Sequence, residues 1–301
     1  MGSEVCKATL NSLNNAVFDS ELNSTLIALI PKKRNPSCIT EFCPISLYNV
    51  LYKIISKVLA NRLKRILPHI ISPSQSAFIP RRLITDNVLA AYETLHMMHS
   101  QIGGKNGYMA IKIDMSKAYD RVEWDFLEVV MRKMGFGSQW IKLVMMCVTM
   151  VKYVVLVNGV PMRRIFLTQS IRQGDPISPY LFILCAVVLS SQPSKADREG
   201  RLQGVLTSMR GPCLNHLLFT DDSLLFCRAN REHWNKLSNI LQRYGSASRQ
   251  MLNTSKTAIF FSRNTPPELK DEVIEVAAIP STQRYDTYLG LPALVGKSHT
   301  K

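Results

Sequence analysis

The chain has 301 residues, which is enough for one large domain or two modest ones with a substantial buried core. Apolar residues make up 46% and charged residues 20%, so the composition excludes a disordered chain and a coiled coil. Lysine and arginine number 37 against 22 acidic residues, and the formal net charge is +15. A folded protein this basic is expected to bind a polyanion, nucleic acid first of all, with a basic structural protein as the alternative.

The cysteines and histidines argue against a disulfide framework and a zinc ribbon. The seven cysteines are scattered, and no Cys-x-x-Cys pair occurs. His96 and His99 are close in sequence but are not accompanied by a full set of metal ligands, so we expect them on a helix surface. This cysteine usage favours a reducing, intracellular location, with nucleus and cytoplasm both open. Neither a signal-peptide layout nor an apolar run near the roughly 20 residues of a membrane helix occurs, so no membrane partner is expected.

The segment 31–82 carries ten basic residues and a single acidic one, Glu41. Within it, apolar residues recur at helical spacing and predict an amphipathic helix over 48–67, with lysine and arginine on the other face. The apolar positions of this helix are Leu51, Ile54, Ile55, Val58, Leu59, Leu63 and Ile66. A basic helix face is commonly just solvated, but beside a cleft it would bind phosphates.

From residue 108 onward, predicted strands alternate with predicted helices. The first two are a buried strand over 108–114 and a helix after Ser116, with Val122 to Met134 on its apolar side. Asn158-Gly159 predicts a hairpin of strands 153–157 and 160–167, and a buried helix follows over 178–189. The last three are strands over 213–219 and 223–227 and a short helix over 268–278. The mixture predicts an α+β fold.

Three carboxylates stand at the ends of apolar strands. Asp114 ends the strand that begins at residue 108, and Asp221-Asp222 joins two further strands. If these strands are neighbours, the three carboxylates meet at one point, as a Mg²⁺ site for phosphoryl transfer requires. Because adjacent strand residues point to opposite faces, Asp114 and Asp221 are expected to be better ligands than Asp222. An aspartate pair in a turn is common by itself, so this pattern alone is not decisive.

Three motifs share an order that identifies a family. They are Asp114-x-x-x-x-Tyr119-Asp120, Arg172-Gln173-Gly174-Asp175-Pro176 and Phe219-Thr220-Asp221-Asp222. Accompanying stretches are Leu29-Ile-Pro-Lys32, Pro44-Ile-Ser-Leu47, Gln75-Ser-Ala-Phe78, Leu83-Ile-Thr-Asp-Asn87, Met115 to Trp124 and Tyr288-Leu-Gly-Leu291. The ordered set resembles the palm motifs of reverse transcriptases, with the closest likeness to plant long interspersed (non-LTR) retrotransposons.

The resemblance implies a right-hand polymerase fold with an antiparallel palm sheet flanked by helices. It places fingers at 1–105, a palm at 106–265 with an inserted fingers segment around 137–168, and the start of a truncated, mostly absent thumb at 266–301. It also implies RNA-directed DNA synthesis with an RNA template, a DNA primer, deoxynucleoside triphosphates and two Mg²⁺ ions. The sequence does not indicate an oligomeric state.

By motif match, Asp114, Asp221 and Asp222 would be the catalytic metal carboxylates. Tyr119 would be the steric gate that collides with a ribose 2′-hydroxyl, which argues against an RNA-dependent RNA polymerase that shares the palm. A buried core tyrosine is an equally good interpretation of Tyr119. An intron maturase would be expected to carry a further basic RNA-binding domain.

Four more residues match nucleotide-binding positions of the family. Gln173 and Gly174 would lie against the incoming nucleotide and template, with a plain helix-entry turn as the alternative. Lys256 could contact the triphosphate and Arg82 could meet a phosphate, while ordinary surface charge is the alternative for both.

Several positions depart from the family pattern. Glycine is expected where Arg81, Ser170 and Arg249 stand, arginine at Cys43 and Gln169, alanine at Thr220, and an acidic residue at Val187. The three aspartates are retained. These departures, together with the truncated thumb, favour a second interpretation, a catalytically decayed remnant that only binds nucleic acid.

Overall fold

The structure, a computed structural model, describes residues 2–104, 107–207, 211–282, 287–289 and 291–292. The chain divides into two compact units, one of residues 1–69 and 119–185 and the other of residues 70–118 and 186–301. These boundaries differ from the predicted fingers and palm boundaries, and the assignment of fingers, palm and thumb stays a prediction.

Helices and strands are interspersed, as the sequence predicts for an α+β fold. The helices are α1 (Gly2–Asn15), α2 (Val50–Ile70), α3 (Ile84–Ser100), α4 (Trp124–Lys133), α5 (Ser138–Thr149), α6 (Ser178–Arg198), α7 (Arg231–Ser248) and α8 (Pro267–Ala277). The strands are β1 (Ser24–Pro31), β2 (Phe42–Tyr48), β3 (Tyr108–Ser116), β4 (Lys152–Val157), β5 (Val160–Ile165), β6 (Val205–Leu206), β7 (Cys213–Leu214), β8 (His216–Phe219), β9 (Asp222–Arg228), β10 (Met251–Leu252), β11 (Ala258–Phe261), β12 (Ser281–Thr282), β13 (Thr287–Tyr288) and β14 (Leu291–Pro292).

The first unit is built on a four-stranded sheet in the order β2-β1-β4-β5. The predicted hairpin is confirmed, since β4 and β5 pair antiparallel and Asn158 and Gly159 have φ angles of 51° and 80°. Two consecutive positive φ angles give the turn whose twist matches that of the flanking strands. The first strand of this hairpin pairs in parallel with β1, so the local hairpin is tied to a strand more than 100 residues away.

The amphipathic helix is confirmed as α2, although it begins at Val50 and continues to Ile70. Its buried stripe runs through Tyr52, Ile55, Leu59, Leu63 and Leu67 at intervals of three and four residues. The predicted core position Ile66 is wrong, because its side chain is 40% exposed. It lies one position beside the stripe, among the basic residues.

The helix predicted to follow Ser116 begins later, at Trp124 in α4. The strand β3 instead continues through Ser116, because Met251 and Leu252 of β10 pair with its last two residues. Such a partner, which comes from far along the chain, leaves no local signal in the sequence.

The helix predicted over 178–189 continues to Arg198. Pro193 lies inside it and is buried, although proline ordinarily interrupts a helix. Tertiary contacts hold this part of α6 in place, since Ser190 Oγ lies 2.7 Å from the buried His216 Nε2. Burial lowers the pKa of His216 to about 4, so its ring is neutral at physiological pH.

The second unit is built on a sheet in the order β12-β11-β3-β9-β8, with β10 also pairing with β3. One face of this sheet packs on α3 through a buried apolar cluster that includes Leu95, Met98, Phe226, Phe260 and Tyr288. Across the described ranges, no helix is both long and apolar enough to cross a membrane. All seven cysteines are free thiols.

At the three positions where the resemblance leads us to expect glycine, the backbone has a positive φ angle, which favours glycine. Arg81 has a φ angle of 67°, Ser170 of 106° and Arg249 of 58°. A Cβ in this region crowds the backbone and costs about 1–2 kcal/mol. Ser170 is held there by hydrogen bonds, because its N–H donates to Val122 O at 2.8 Å and its carbonyl accepts from Trp124 Nε1 at 2.7 Å. The backbone therefore carries local strain at all three sites.

Replacing Arg81, Ser170 or Arg249 with glycine should stabilise the protein by about 1 kcal/mol each, because glycine adopts a positive φ without strain. The midpoint of urea unfolding at an unchanged slope measures this gain. Arg65→Gly, on the exposed side of α2, is the matched control and should lose about 1 kcal/mol. A loss of stability in all three glycine variants would contradict the strain.

Candidate active site

Two of the predicted carboxylates lie directly opposite each other on paired strands. The strands β3 and β9 are antiparallel, and their register runs from Tyr108 opposite Arg228 to Asp114 opposite Asp222. Opposed residues of antiparallel strands project from the same face, with Cβ atoms about 4.5–5.5 Å apart. The fold therefore brings Asp114 and Asp222 together from positions more than 100 residues apart.

Asp221 lies in the turn beside this pair. The hairpin closes on Phe219 opposite Asp222, which leaves Thr220 and Asp221 as its two turn residues. Thr220 has a φ angle of 53°, and its hydroxyl donates to Asp221 Oδ1 at 2.8 Å. The expected preference for Asp221 over Asp222 rested on strand alternation, which does not apply to a turn residue. The register instead places Asp222 opposite Asp114, and we call the three residues the aspartate corner.

Both side-chain oxygens of Asp114 accept hydrogen bonds from the segment after β10. Asn253 Nδ2 donates to Oδ1 at 3.2 Å, and Lys256 Nζ lies 3.3 Å from Oδ2. The Asn253 backbone N–H also donates to the Asp114 carbonyl at 2.9 Å. Lys256 was predicted as a nucleotide contact, and its side chain is 65% exposed while that of Asp114 is 18% exposed. Asn253 was missed, although it belongs to the same Asn253-Thr-Ser-Lys256 motif.

The ionised form of Asp222 is costly in the aspartate corner. Burial raises the pKa of Asp222, and the charges of Asp221 and Asp114 raise it further, while Lys112 and Lys256 oppose the shift. A bound cation would remove this cost by neutralising the carboxylates. The corner therefore favours a positively charged ligand.

The donor chemistry of the corner fits Mg²⁺, which prefers oxygen ligands. In the part of the chain that the structure describes, no three histidine, cysteine, aspartate or glutamate side chains are placed to hold a metal ion by themselves. Mg²⁺ is commonly bound by one or two carboxylates, with water and substrate phosphates completing its coordination. Asp114 and Asp222 would supply such a partial ligand set.

Buried polar residues support the strand that leads into the aspartates. Tyr288 Oη donates to Asn87 Oδ1 at 2.9 Å, and Asn87 Nδ2 donates to Leu218 O at 3.0 Å. Tyr288 is 1% and Asn87 2% exposed, and burial together with the charge of Asp222 raises the pKa of Tyr288. The sequence showed both residues only as parts of family stretches, and Gly290 of the second stretch lies outside the described residues. Their placement assigns them a supporting position at the end of β8.

Arg82 is held by backbone carbonyls of its own unit. One terminal nitrogen donates to Ser72 O and Gln75 O at 2.5 Å each, and the other donates to Ile71 O at 2.9 Å. Partial burial lowers the pKa of the guanidinium. These contacts give Arg82 a structural role in the 71–82 segment, while its predicted phosphate contact stays a prediction.

The predicted nucleotide residues Gln173 and Gly174 lie in the first unit, at an exposed tip between two buried charges. Gly174 has a φ angle of 86°, and its carbonyl accepts from Tyr48 Oη at 2.7 Å. It lines a pocket of about 600 Å³ together with Tyr48, Asn49 and Lys53.

Arg172 and Asp175, which flank this tip, were not singled out from the sequence. Arg172 Nε lies 3.6 Å from Asp175 Oδ2, and both side chains are at most 3% exposed. Asp175 accepts from Tyr52 Oη at 2.6 Å and from the Ser56 hydroxyl. Arg172 donates to Asn23, to Thr25 Oγ1 at 2.9 Å and to Cys147 O at 3.0 Å. The only local signal is the presence of opposite charges on both sides of Gln-Gly.

Tyr119, the predicted steric gate, also belongs to the first unit. Its ring stacks on the buried Phe182 with centroids 5.3 Å apart and an interplanar angle of 10°. The ring is only half-buried, so one part packs as a core residue would and another part stays accessible. Its role as a gate stays a prediction.

Without metal, Asp222→Asn should stabilise the protein at neutral pH, because a carboxyl whose pKa is raised by folding loses stability as pH rises through that pKa. The difference from the wild type should disappear in acid, where Asp222 is protonated in both states. Adding Mg²⁺ at neutral pH should raise the melting temperature of the wild type and not of the variant. Thermal unfolding over a pH series measures both effects, with Asp271→Asn as the exposed control. A wild type that is insensitive to Mg²⁺ would contradict the metal site.

The chain resembles known proteins in sequence over part of their length. The chain is 27% identical over 235 residues to an uncharacterized 149 kDa protein of transposon TX1 from Xenopus laevis, covering 77% of this chain and 17% of that protein. It is 48% identical over 68 residues to an uncharacterized mitochondrial protein of Arabidopsis thaliana, covering 23% of this chain and 56% of that protein. The chain thus spans only part of the length of these relatives.

A similar fold occurs in the structure of telomerase from Candida tropicalis in complex with a telomeric RNA fragment. The TM-score is 0.56 at 13% sequence identity, and the match covers 87% of this chain and 44% of the telomerase chain. At this identity the likeness concerns the fold. The model of the family described as reverse transcriptase (RNA-dependent DNA polymerase) matches residues 30–292, and because this match covers most of the chain, the chain belongs to the reverse transcriptase family.

Proposed function

We propose that this chain is the polymerase domain of an RNA-directed DNA polymerase. In the proposed reaction, the 3′-hydroxyl of a DNA primer attacks the α-phosphate of a deoxynucleoside triphosphate on an RNA template. A new phosphodiester bond forms, the bond to the β-phosphate breaks, and pyrophosphate leaves. The observation that carries the proposal is the register that sets Asp114 opposite Asp222, with Asp221 in the adjoining turn.

The aspartate corner would hold two Mg²⁺ ions. When bound, they supply Lewis acidity and neutralise charge that develops on the phosphate oxygens. The residues of the chain bind and orient the reactants. Lys256, mostly exposed and 3.3 Å from Asp114, is able to donate to a triphosphate oxygen once a cation neutralises that carboxylate. Gln173 and Gly174 would contact the nucleotide, with the Tyr119 ring excluding a 2′-hydroxyl.

The exposed basic face of α2 supports binding of a nucleic-acid backbone. Lys53, Lys57, Arg62 and Arg65 lie on its solvent side, opposite the buried stripe. Phosphate contacts from such a face provide affinity without sequence preference. We further propose that the chain derives from a plant-type non-LTR retrotransposon and acts inside the cell.

The alternative function, a remnant that binds nucleic acid without catalysis, has its own support. Arg81, Ser170 and Arg249 keep positive φ angles without glycine. Accumulated strain of this kind is compatible with a folded scaffold that no longer holds its catalytic groups in reactive geometry.

Purified protein with Mg²⁺, deoxynucleotides and a primed RNA template should extend the primer. Asp114→Asn should lower the extension rate by about a hundredfold or more, because a metal carboxylate is lost. Asp271→Asn removes an exposed carboxylate elsewhere in the second unit and should leave the rate unchanged. If the wild type and Asp114→Asn bind RNA equally and neither extends the primer, while a relative with intact motifs does, the remnant function holds instead.

Tyr119→Ala should reduce the preference for deoxynucleotides over ribonucleotides by about tenfold or more, since the ring that meets the 2′-hydroxyl is removed. The ratio of kcat/KM values for the two sugars measures this effect. Tyr119→Phe keeps the ring and should keep the preference. Unchanged discrimination in the alanine variant would assign the ring to packing on Phe182 alone.

A further inference from the structure

A second charged cavity lies in the second unit, away from the aspartate corner. Its volume is about 330 Å³, and its lining includes His99, Arg263 and Lys270 together with the hydroxyl residues Ser281 and Thr282. The cavity thus lies between the end of α3, the loop after β11, the helix α8 and the edge strand β12. We call it the basic pocket.

The charged side chains that line the basic pocket have one sign. Among the described residues, none of the lining side chains is acidic. The helix α8 carries four acidic residues and one lysine. Of these five charged residues, only Lys270 lines the pocket. Neither Arg263 nor Lys270 forms an ion pair with another described residue. Clustered cations of this kind create a positive potential that attracts an anion.

Hydroxyl donors complete a set suited to oxyanions. Ser281 and Thr282 form the outer strand of the sheet, which pairs with β11 only along one edge. Hydroxyls, ammonium and guanidinium groups all donate hydrogen bonds, and phosphate oxygens accept several at once. Phe260 and Phe261 are buried and also line the cavity.

The basic pocket is separate from the aspartate corner. Phe261 pairs with Met109, which lies five residues before Asp114 along β3. At about 3.3 Å per residue, the two sites are roughly 16 Å apart along the strand. The two sites are therefore distinct positions of the second unit.

We infer that the basic pocket binds a phosphate group. The phosphate can come from a nucleic-acid backbone or from a small phosphorylated molecule. This inference does not rest on polymerase activity, so it can hold or fail independently of the proposed function.

Binding of a fluorescein-labelled oligouridylate of about 12 nucleotides tests the nucleic-acid source. The double variant R263Q/K270Q should weaken binding about tenfold, and the slope of log affinity against log salt should fall by about 0.7 for each lost phosphate contact. The control R198Q/R243Q removes two exposed charges of the same unit outside the pocket and should have a smaller effect. R263K/K270R keeps both charges and should restore binding, while urea unfolding verifies that each variant is folded.

Inorganic phosphate as the probe tests the second source. It should raise the melting temperature of the wild type and of R198Q/R243Q, and not that of R263Q/K270Q. A phosphate response without an RNA effect would assign the pocket to a small phosphorylated molecule. Equal RNA loss in both double variants, together with no pocket-specific phosphate response, would overturn the inference.

Discussion

The pairing register of β3 and β9 is the constraint on which the candidate site depends. Both faces of β3 are buried over most of its length, with Met109, Ile111 and Ile113 on one face and Ala110 on the other. A shift of one residue would move every side chain to the opposite face and bring Asp114 into the core. The packing that stabilises the sheet therefore also fixes the position of the carboxylate. The aspartate corner therefore forms when this sheet forms in its native register.

Local features of both units were predictable because they depend on neighbouring residues. The apolar run that ends at Asp114 predicts a strand, and the observed β3 contains it. Asn158-Gly159 predicts its hairpin for the same reason, since the turn requires two positive φ angles. The family resemblance placed the three aspartates together, and the register brings two of them face to face.

Features that depend on distant partners were not predictable. The extension of β3 to Ser116 comes from β10, which lies about 135 residues later in the chain. The turn that separates Asp221 from Asp222 is set by how β8 and β9 close, and strand alternation gives no information about it. Asn87 and Tyr288 form one hydrogen bond across 201 positions. A single sequence gives no sign that residues so far apart are in contact, and only the fold shows it.

The buried pair of Arg172 and Asp175 has a consequence for the exposed residues between them. Each charge is bound to groups on other elements, Arg172 to Thr25 of β1 and Asp175 to Tyr52 of α2. Removing either partner would leave an uncompensated charge in the interior, which typically costs several kcal/mol. The backbone of Gln173 and Gly174 is therefore held in place on both sides by buried, hydrogen-bonded residues. A ligand that bound at this tip would cost the protein little conformational entropy.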